Sequence, residues 1–274
     1  CWKNDELRIF ADSAQRFFEK EFVPHTERWI DQGEIDREAW RTAGAAGLLC
    51  TDIPVEYGGA GGDFRHETVV MEEMHRAGVV GFGHQVHSTI VAPYILHYGT
   101  EAQKQDWLPK MVTGDAVGAI AMTEPNTGSD LQSIRTSAVR DGNDYIINGA
   151  KTYITNGQHA DVVIVVAKTD PNARAKGISL ILVDAKSAGF ERGRNLKKMG
   201  QKAADTSELF FSDCRVPASN LLGGEEGKGF YQLMQQLPQE RLSIAQAAVV
   251  CTERAIAITT DYVKDRKAFG QSVM

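Results

Sequence analysis

Two short runs near the middle of the sequence combine residue types that can hold an anion or a polar heterocycle. Residues 119–130 read AIAMTEPNTGSD, and residues 148–157 read NGAKTYITNG. The first run joins a strand end, a proline turn and a Gly-Ser corner, which leaves backbone N–H groups and two hydroxyls free to converge on a ligand. The second run places Tyr153 between Thr152 and Thr155, beside tight turns. A hairpin entry and a half-buried hairpin tyrosine explain these two patterns equally well.

Other short patterns favour no particular chemistry. His84 and His87 could share one helical face as metal ligands, but no cysteine or carboxylate cluster accompanies them, so packed or solvated histidines are favoured. Residues 81–83 (GFG) lack the third glycine of a dinucleotide fingerprint. Residues 227–229 (GKG) lack the Ser or Thr that follows the lysine of a phosphate loop, and no Gly-x-Ser-x-Gly motif is present. The sequence therefore predicts no metal centre.

The first 116 residues have the spacing of helices. From Leu7 to Phe22, apolar side chains recur every three or four positions, and charged side chains fill the opposite face. Pro24 ends or bends this first helix, and the glycine-rich residues 54–62 form a loop. Further helical spacing covers residues 36–44, 68–76, 88–98 and 101–111.

The hydrophobic period changes at about residue 117. Short runs rich in Val, Ile and Phe, separated by turn residues, cover 139–148, 162–168, 178–183 and 208–213. Since no helical segment lies between these runs, we expect an antiparallel sheet or small barrel rather than βαβ units. After a turn at 223–229 the helical period returns, with Pro238 predicted as the first residue of a helix that reaches about Lys267.

The composition is that of a globular protein. The 274 residues are 42% hydrophobic and 24% charged, and the net charge of −6 argues against a nucleic-acid surface. No apolar run approaches the ~20 residues needed to cross a bilayer. The cysteines form no CxxC pair, which favours a reducing cytosol over a disulfide scaffold. They are Cys1, Cys50, Cys214 and Cys251.

Taken in order, three runs resemble the acyl-CoA dehydrogenase family of flavoproteins. They are MTEPNTGSD at 122–130, YITNG at 153–157 and DRKAFG at 265–270, and the resemblance covers the whole chain. It implies an α+β fold with an N-terminal all-α domain at 1–116 and a middle antiparallel β domain, a small barrel or sandwich, at 117–222. Residues 223–274 would begin a C-terminal helical-bundle domain, and the abrupt end of the sequence is interpreted as a truncation of that domain.

The resemblance implies FAD as cofactor. Thr123 and the backbone around Met122 would bond the pyrimidine edge of the flavin, and Ser129 would lie near the pyrophosphate and the thioester. Tyr153 would stack beside the isoalloxazine, where family members often carry Trp, and Thr155 would bond near N5. An arginine in the last motif would reach the flavin pyrophosphate of a neighbouring subunit. The implied cofactor-binding residues are Ile120, Met122, Thr123, Gly128, Ser129, Tyr153, Ile154, Thr155 and Arg266.

The resemblance also assigns a catalytic base. Family members of the long-chain and isovaleryl types carry it in a Glu-Arg-Leu sequence at the start of the helix after the β domain, and residues 237–242 read LPQERL. Glu240 is therefore the predicted base. A first-turn position would let the helix dipole lower its pKa, and a bound acyl chain would raise it; a surface first-turn glutamate is the alternative. Among substrate-binding residues, Arg241 would contact the CoA adenine, Tyr231 would flank the acyl or pantetheine path, and Ser129 would approach the thioester.

The predicted function is FAD-dependent dehydrogenation of medium- or long-chain fatty acyl-CoA to trans-2-enoyl-CoA. The resemblance implies electron transfer to an electron-transfer flavoprotein and a homotetramer, with no nucleic-acid partner and no membrane span. Residues 90–93 are a candidate wall of the acyl pocket, or simply core. Three alternatives stay open, namely an isovaleryl-type dehydrogenase, an acyl-CoA oxidase and a non-catalytic flavin- or CoA-binding fragment. The expected location is the bacterial cytoplasm, or the mitochondrial matrix in a eukaryote.

Overall fold

The N-terminal part of the chain is helical, as its spacing predicts. The computed structural model describes residues 2–274, so that Cys1 lies outside the described residues. The helices are α1 (Asp5–Phe17), α2 (Thr26–Gln32), α3 (Arg37–Ala45), α4 (Phe64–Ala77), α5 (Ala92–Tyr98) and α6 (Glu101–Val112). Asn4 caps α1 by accepting a hydrogen bond from the Leu7 amide at 2.9 Å. A π-helical segment, Gln85–Val91, leads directly into α5.

The middle of the chain forms one curled sheet. Its strands are β1 (Gly118–Ala121), β2 (Ser137–Asp141), β3 (Asp144–Thr155), β4 (Val162–Lys168), β5 (Ile178–Asp184), β6 (Phe190–Asn195) and β7 (Thr206–Pro217). The order is β1-β4-β2-β3-β7-β6, with β5 also paired to β4. The other strand pairs are antiparallel, as expected, but β1 and β2 run parallel to β4, so the sheet is mixed. The long connection from β1 to β4 leaves their relative direction free, whereas a tight turn would have imposed an antiparallel pair.

Strands β4 and β5 are buried on both faces. One face, including Val162, Ile164 and Leu180, packs against α5, α6 and neighbouring helical residues. The opposite face, including Val163 and Val165, packs against β3 and β7. This two-sided burial explains why both strands are continuously apolar, and it joins the helical region to the sheet through a shared core.

The last helix begins earlier than the sequence indicates. α7 spans Gly229–Asp265, so Pro238 lies inside the helix rather than at its first position. An interior proline removes one backbone hydrogen bond and costs about 3 kcal/mol in an isolated helix. Buried residues on both sides of it, such as Leu233 and Ala247, hold α7 against the rest of the chain and offset this cost. A short hairpin follows, formed by β8 (Lys267–Ala268) and β9 (Gln271–Ser272).

α7 is also long and apolar enough to cross a membrane, which the sequence analysis did not predict. Its most apolar 18-residue stretch has a mean hydropathy of 1.3, which is enough by length and composition to cross a membrane, and 17% of that stretch is buried. The expectation that no segment is apolar enough was therefore wrong. Core helices of globular proteins share the same length and composition, so this is weak evidence for a membrane span.

The side-chain amide of Asn156 adds a polar link between the helical region and the sheet. The Asn156 side chain, at the end of β3, donates to the carbonyl oxygens of Gly83 and Gly118 at 3.0 and 3.1 Å. Gly83 directly precedes His84 and the π-helical segment, and a Cβ placed on it would stand 1.6 Å from the Asn156 Oδ1. Only glycine at position 83 lets the two elements approach this closely.

We expect Gly83→Ala to lower the free energy of unfolding by about 2 kcal/mol, because the Asn156 amide must move and lose buried hydrogen bonds. Gly200→Ala is the matched control, since a Cβ at position 200 meets no atom within 4 Å. Denaturant unfolding of both variants in the full-length protein measures the difference. Equal stability of the two variants would contradict the role given to this contact.

Candidate active site

The two polar runs are joined by a buried ion pair. The Lys151 Nζ lies 3.0 Å from the Glu124 Oε1 and 3.0 Å from the Met122 carbonyl oxygen, and Lys151 is fully buried. The Glu124 carboxylate also accepts the backbone N–H groups of Arg135 and Thr136 at 2.7 and 2.9 Å. These bonds fix the turn that follows β1 against β3. Sequence reasoning missed this pair, although both charges stand inside the two runs that it singled out.

Both members of the pair are charged at neutral pH. Burial lowers the pKa of Lys151 to about 8, while the negative charge of Glu124 opposes this shift. Burial raises the pKa of Glu124, but the charge of Lys151 and the donated hydrogen bonds outweigh it, so its pKa lies below the usual value. A buried lysine and glutamate that stay ionised must remain paired, because an uncompensated buried charge is strongly destabilising.

A second contact sets the runs side by side. The Thr152 amide donates to the Thr123 carbonyl oxygen at 3.0 Å, and the Thr123 hydroxyl donates to the Thr152 carbonyl oxygen. The hydroxyl proton of Thr123 is therefore used inside the protein, while its oxygen keeps the capacity to accept a bond. These bonds hold Thr123, just after β1, against Thr152 of β3, next to Tyr153.

Tyr153 stands out as an exposed aromatic residue. Its side chain is 71% exposed, and its φ of 59° lies in the left-handed region. Strain of this kind costs about 1–3 kcal/mol and is concentrated at functional sites. The neighbouring Ile154 is buried in the sheet core, so only its backbone can meet a ligand, and Thr155 is half-buried. An uncovered tyrosine ring beside a half-buried threonine fits a planar aromatic group.

The remaining residues of the first run are more open. Gly128 and Ser129 are exposed on the turn after Glu124, and a Cβ on Gly128 would meet nothing within 4 Å. Ile120 and Met122 are half-buried and pack against the core that the helices share with β4 and β5. An open turn with exposed N–H and hydroxyl groups can accommodate a bulky polar ligand.

A cavity of about 510 Å³ lies where the three parts of the chain meet. Its walls come from the π-helical segment (Gln85, Val86 and Ile90), from Thr155 at the end of β3 and from Ile244 on α7. Of the predicted wall at 90–93, Ile90 lines this cavity, while the side chains of 91–93 belong to the buried core. The cavity is mostly apolar, with a few polar groups, which is typical of a small-molecule site.

Glu240 lies on α7, one turn before the cavity wall. It is only 7% exposed, and its Oε1 accepts a hydrogen bond from the Tyr94 hydroxyl at 2.9 Å. The next turn is held by Gln85, whose side-chain amide donates to the Ser243 hydroxyl at 2.7 Å. Since a base in a cleft must be largely desolvated, this burial suits the predicted role and contradicts a surface glutamate.

The expected effect of the helix dipole on Glu240 is wrong. Glu240 lies about three turns inside α7, and the dipole acts only within the first turn. Burial instead raises its pKa above the usual value, opposed by the Tyr94 hydrogen bond and by the charge of Arg241. The wrong helix start at Pro238 produced this error.

Three other predicted residues stand apart from this group. Tyr231 is 47% exposed near the start of α7, and Arg241 is exposed beside Glu240. Arg266 is exposed at the far end of the same helix, ~39 Å along the axis from Glu240 at 1.5 Å per residue. It also lies ~22 Å along the axis from Cys251, the last residue of α7 that lines the cavity, so its side chain does not reach the cavity of its own chain.

The histidines of the GHQVH run are packed residues. His84 and His87 are completely buried, and their Nε2 atoms lie 3.0 Å from the carbonyl oxygens of Leu48 and Met111. Burial lowers the pKa of His87 to about 3, so it is neutral. Within residues 2–274, no group of three or more His, Cys, Asp or Glu side chains is placed to hold a metal ion.

Three family models match the chain in sequence order. The model of the acyl-CoA dehydrogenase N-terminal domain matches residues 4–115, that of the middle domain matches 119–214, and that of the C-terminal domain matches 227–274. Together they cover the helical region, most of the sheet and α7. The last match includes Glu240 and the terminal hairpin.

Individual proteins give the same result. The chain is 52% identical to the mitochondrial long-chain specific acyl-CoA dehydrogenase of Sus scrofa, covering 98% of this chain and 63% of that protein. The acyl-CoA dehydrogenase structure from Geobacillus kaustophilus is 50% identical with a TM-score of 0.97, covering 99% of this chain and 72% of that one. A glutaryl-CoA dehydrogenase from Mycobacterium smegmatis in complex with FADH2 is 31% identical with a TM-score of 0.89, covering 99% and 68%. This chain thus spans less than two thirds of the long-chain relative.

We expect Lys151→Met to lower the free energy of unfolding by about 3–5 kcal/mol, because it leaves the Glu124 carboxylate buried without its partner. Arg194→Met is the control, since Arg194 pairs with Glu208 between β6 and β7 with its own side chain 78% exposed. The control should lose far less stability, because water screens an exposed pair. Denaturant unfolding compares the two, and similar losses would refute a special role for Lys151.

Proposed function

Because this chain belongs to the acyl-CoA dehydrogenase family, we propose that it carries the FAD-dependent α,β-dehydrogenation of medium- to long-chain fatty acyl-CoA to trans-2-enoyl-CoA. The observation that carries this proposal is Glu240, a buried carboxylate of raised pKa on α7, one helical turn from Ile244, which lines the mostly apolar cavity. A carboxylate in that setting is a stronger base than one in water, because burial disfavours its charged form.

Glu240 acts as the general base. It takes the Cα proton of the thioester on its carboxylate, and the electron pair of the broken C–H bond moves into the forming Cα=Cβ bond. The apolar walls around the cavity, such as Ile90 and Ile244, exclude water from this step. Excluding water keeps the carboxylate basic and prevents its solvation from opposing proton transfer.

FAD, when bound, supplies the acceptor for the hydride that leaves Cβ. We assign its ring to the exposed Tyr153 face, with the Thr155 hydroxyl and the Thr123 oxygen as hydrogen-bonding groups. The open turn at Ser129 takes the pyrophosphate side and the thioester. Arg266 serves the pyrophosphate of another subunit, in keeping with its distance from Glu240 along α7.

The substrate chain length is proposed from two observations. The long-chain relative is 52% identical, whereas the glutaryl-CoA enzyme is 31% identical. The cavity between the π-helical segment and α7 is mostly apolar and has a volume of about 510 Å³, which suits an aliphatic acyl chain. An isovaleryl-type enzyme, an oxidase and a non-catalytic fragment are less favoured.

The remaining parts of the proposal follow from the family. Electrons pass to an electron-transfer flavoprotein, and the enzyme works as a homotetramer in which Arg266 completes a neighbouring site. Arg241 and Tyr231 lie exposed along α7 and are assigned to the CoA moiety. The relatives come from mitochondria and from bacteria, so the proposed location is the mitochondrial matrix or the bacterial cytoplasm.

We expect Glu240→Gln in the full-length holoenzyme to lower kcat by about 10³-fold, because an amide cannot accept the Cα proton. Flavin content and acyl-CoA affinity should change little, since the side-chain volume is kept. Glu253→Gln, an exposed glutamate on the same helix, is the matched control and should retain activity. Anaerobic bleaching of the flavin by acyl-CoA measures the step directly, and wild-type bleaching in Glu240→Gln would end the assignment.

Chain length is tested by the same bleaching assay. We expect palmitoyl-CoA to bleach the holoenzyme faster than isovaleryl-CoA at equal concentration, because the apolar cavity rewards the longer chain. The reverse order would favour the isovaleryl alternative. Binding of both thioesters without bleaching would favour a non-catalytic protein, and rapid reoxidation by air would favour an oxidase.

A further inference from the structure

We propose that Tyr94 is the positioning residue for Glu240, holding one carboxylate oxygen so that the other faces the substrate proton. This inference rests on the proposed role of Glu240 as base. The Tyr94 hydroxyl donates to Oε1 at 2.9 Å. Within residues 2–274, no protein group donates a hydrogen bond to the other carboxylate oxygen, Oε2. Oε2 is not fully buried, so it stays accessible. Oε2 is therefore the oxygen left to accept a proton.

The donor is rigid. Tyr94 is completely buried on α5 and belongs to the core that also contains Ile90, Leu108 and Leu233. Its ring stands 6.0 Å from the Tyr98 ring, measured between centroids. A ring packed on all sides cannot swing away, so its hydroxyl stays at one place against α7. This fixes the carboxylate without a flexible charged partner.

The donor also keeps its proton. Burial, together with the nearby charge of Glu240, raises the pKa of Tyr94 far above its usual value. The other titratable group near Tyr94 is Tyr98 on α5, and the other charged group near Glu240 is Arg241 on its own helix. His97 is turned to the Gln236 side chain. Tyr94 therefore donates to Glu240 at every working pH and takes no part in proton transfer itself.

The hydrogen bond from Tyr94 limits how far burial raises the pKa of Glu240. Burial raises the pKa of Glu240, and the Tyr94 bond lowers it, because the hydroxyl favours the ionised carboxylate. Without the hydroxyl, Oε1 would lie buried without a donor and the carboxyl would hold its proton to higher pH. The base would then be ionised over a narrower range of pH, and its oxygen would be free to rotate.

The test compares Tyr94→Phe with the wild type as full-length holoenzymes. Tyr98→Phe is the matched control, since Tyr98 lies one turn away on α5 and its hydroxyl donates to the Gln235 side chain at 2.9 Å. We expect Tyr94→Phe to move the acidic limb of the kcat profile upward by about one pH unit or more. At high pH, kcat of Tyr94→Phe should be about tenfold below that of the wild type, while its KM stays within twofold of the wild-type value. Tyr98→Phe should change neither the pH profile nor kcat.

An infrared titration gives a readout that does not depend on turnover. The carboxylic acid band of Glu240, assigned by its loss in Glu240→Gln, should reach its midpoint about one pH unit higher in Tyr94→Phe. An unchanged midpoint and an unchanged acidic limb would overturn the inference. If Glu240→Gln stays active, the proposed base is wrong, yet the infrared midpoint still reports on the Tyr94 bond, so the two failures are distinguishable.

A second variant tests the same hydrogen bond if Tyr94→Phe folds poorly. Incorporating 3-fluorotyrosine at position 94 keeps the ring and makes the hydroxyl a stronger donor. We expect the Glu240 midpoint to move to lower pH in that protein, opposite to its direction in Tyr94→Phe. A midpoint that stays in place would count against Tyr94 as the positioning donor, because a stronger donor to Oε1 must favour the ionised form.

Discussion

The site depends on keeping one carboxylate out of water in the middle of a long helix. Glu240 can be buried there because α7 begins at Gly229, well before it, and because α5 offers the Tyr94 hydroxyl directly opposite. An isolated buried carboxylate would neutralise itself, whereas one with a single fixed donor stays chemically useful. In the proposed mechanism, the packing of α5 and α7 over the β4–β5 face therefore serves the chemistry as well as the fold.

The positions of the helical and strand regions could be predicted from the spacing of apolar residues, because that spacing is a property of the local sequence. The amphipathic α1 and the apolar run of β4 were predictable, because the spacing of their apolar residues is visible within a few positions. Two features depend instead on distant packing. The parallel pairing of β1 with β4 crosses a long connection, and the continuation of α7 through Pro238 relies on buried neighbours at Leu233 and Ala247.

Part of the candidate site could also be predicted from the sequence. The motif residues Thr123 and Tyr153 and the proposed base Glu240 could be singled out from the sequence, because their residue types and order are distinctive. The residues that hold them were not found, since Tyr94 reads as part of an apolar helix stripe and Lys151 as an ordinary strand lysine. Partners far apart in sequence, such as Tyr94 and Glu240, leave no local pattern, and their roles become visible only in three dimensions.

The double burial of β4 and β5 also limits how such a protein can evolve. A substitution at Ile164 disturbs the helical layer and a substitution at Val165 disturbs the β3–β7 layer, so neither strand has a permissive side. Interiors packed to crystal-like density penalise changes of even one methylene. Changes that fit other ligands therefore disturb the core least at the cavity-facing positions of the helices, such as Ile90 and Ile244, and most in β4 and β5.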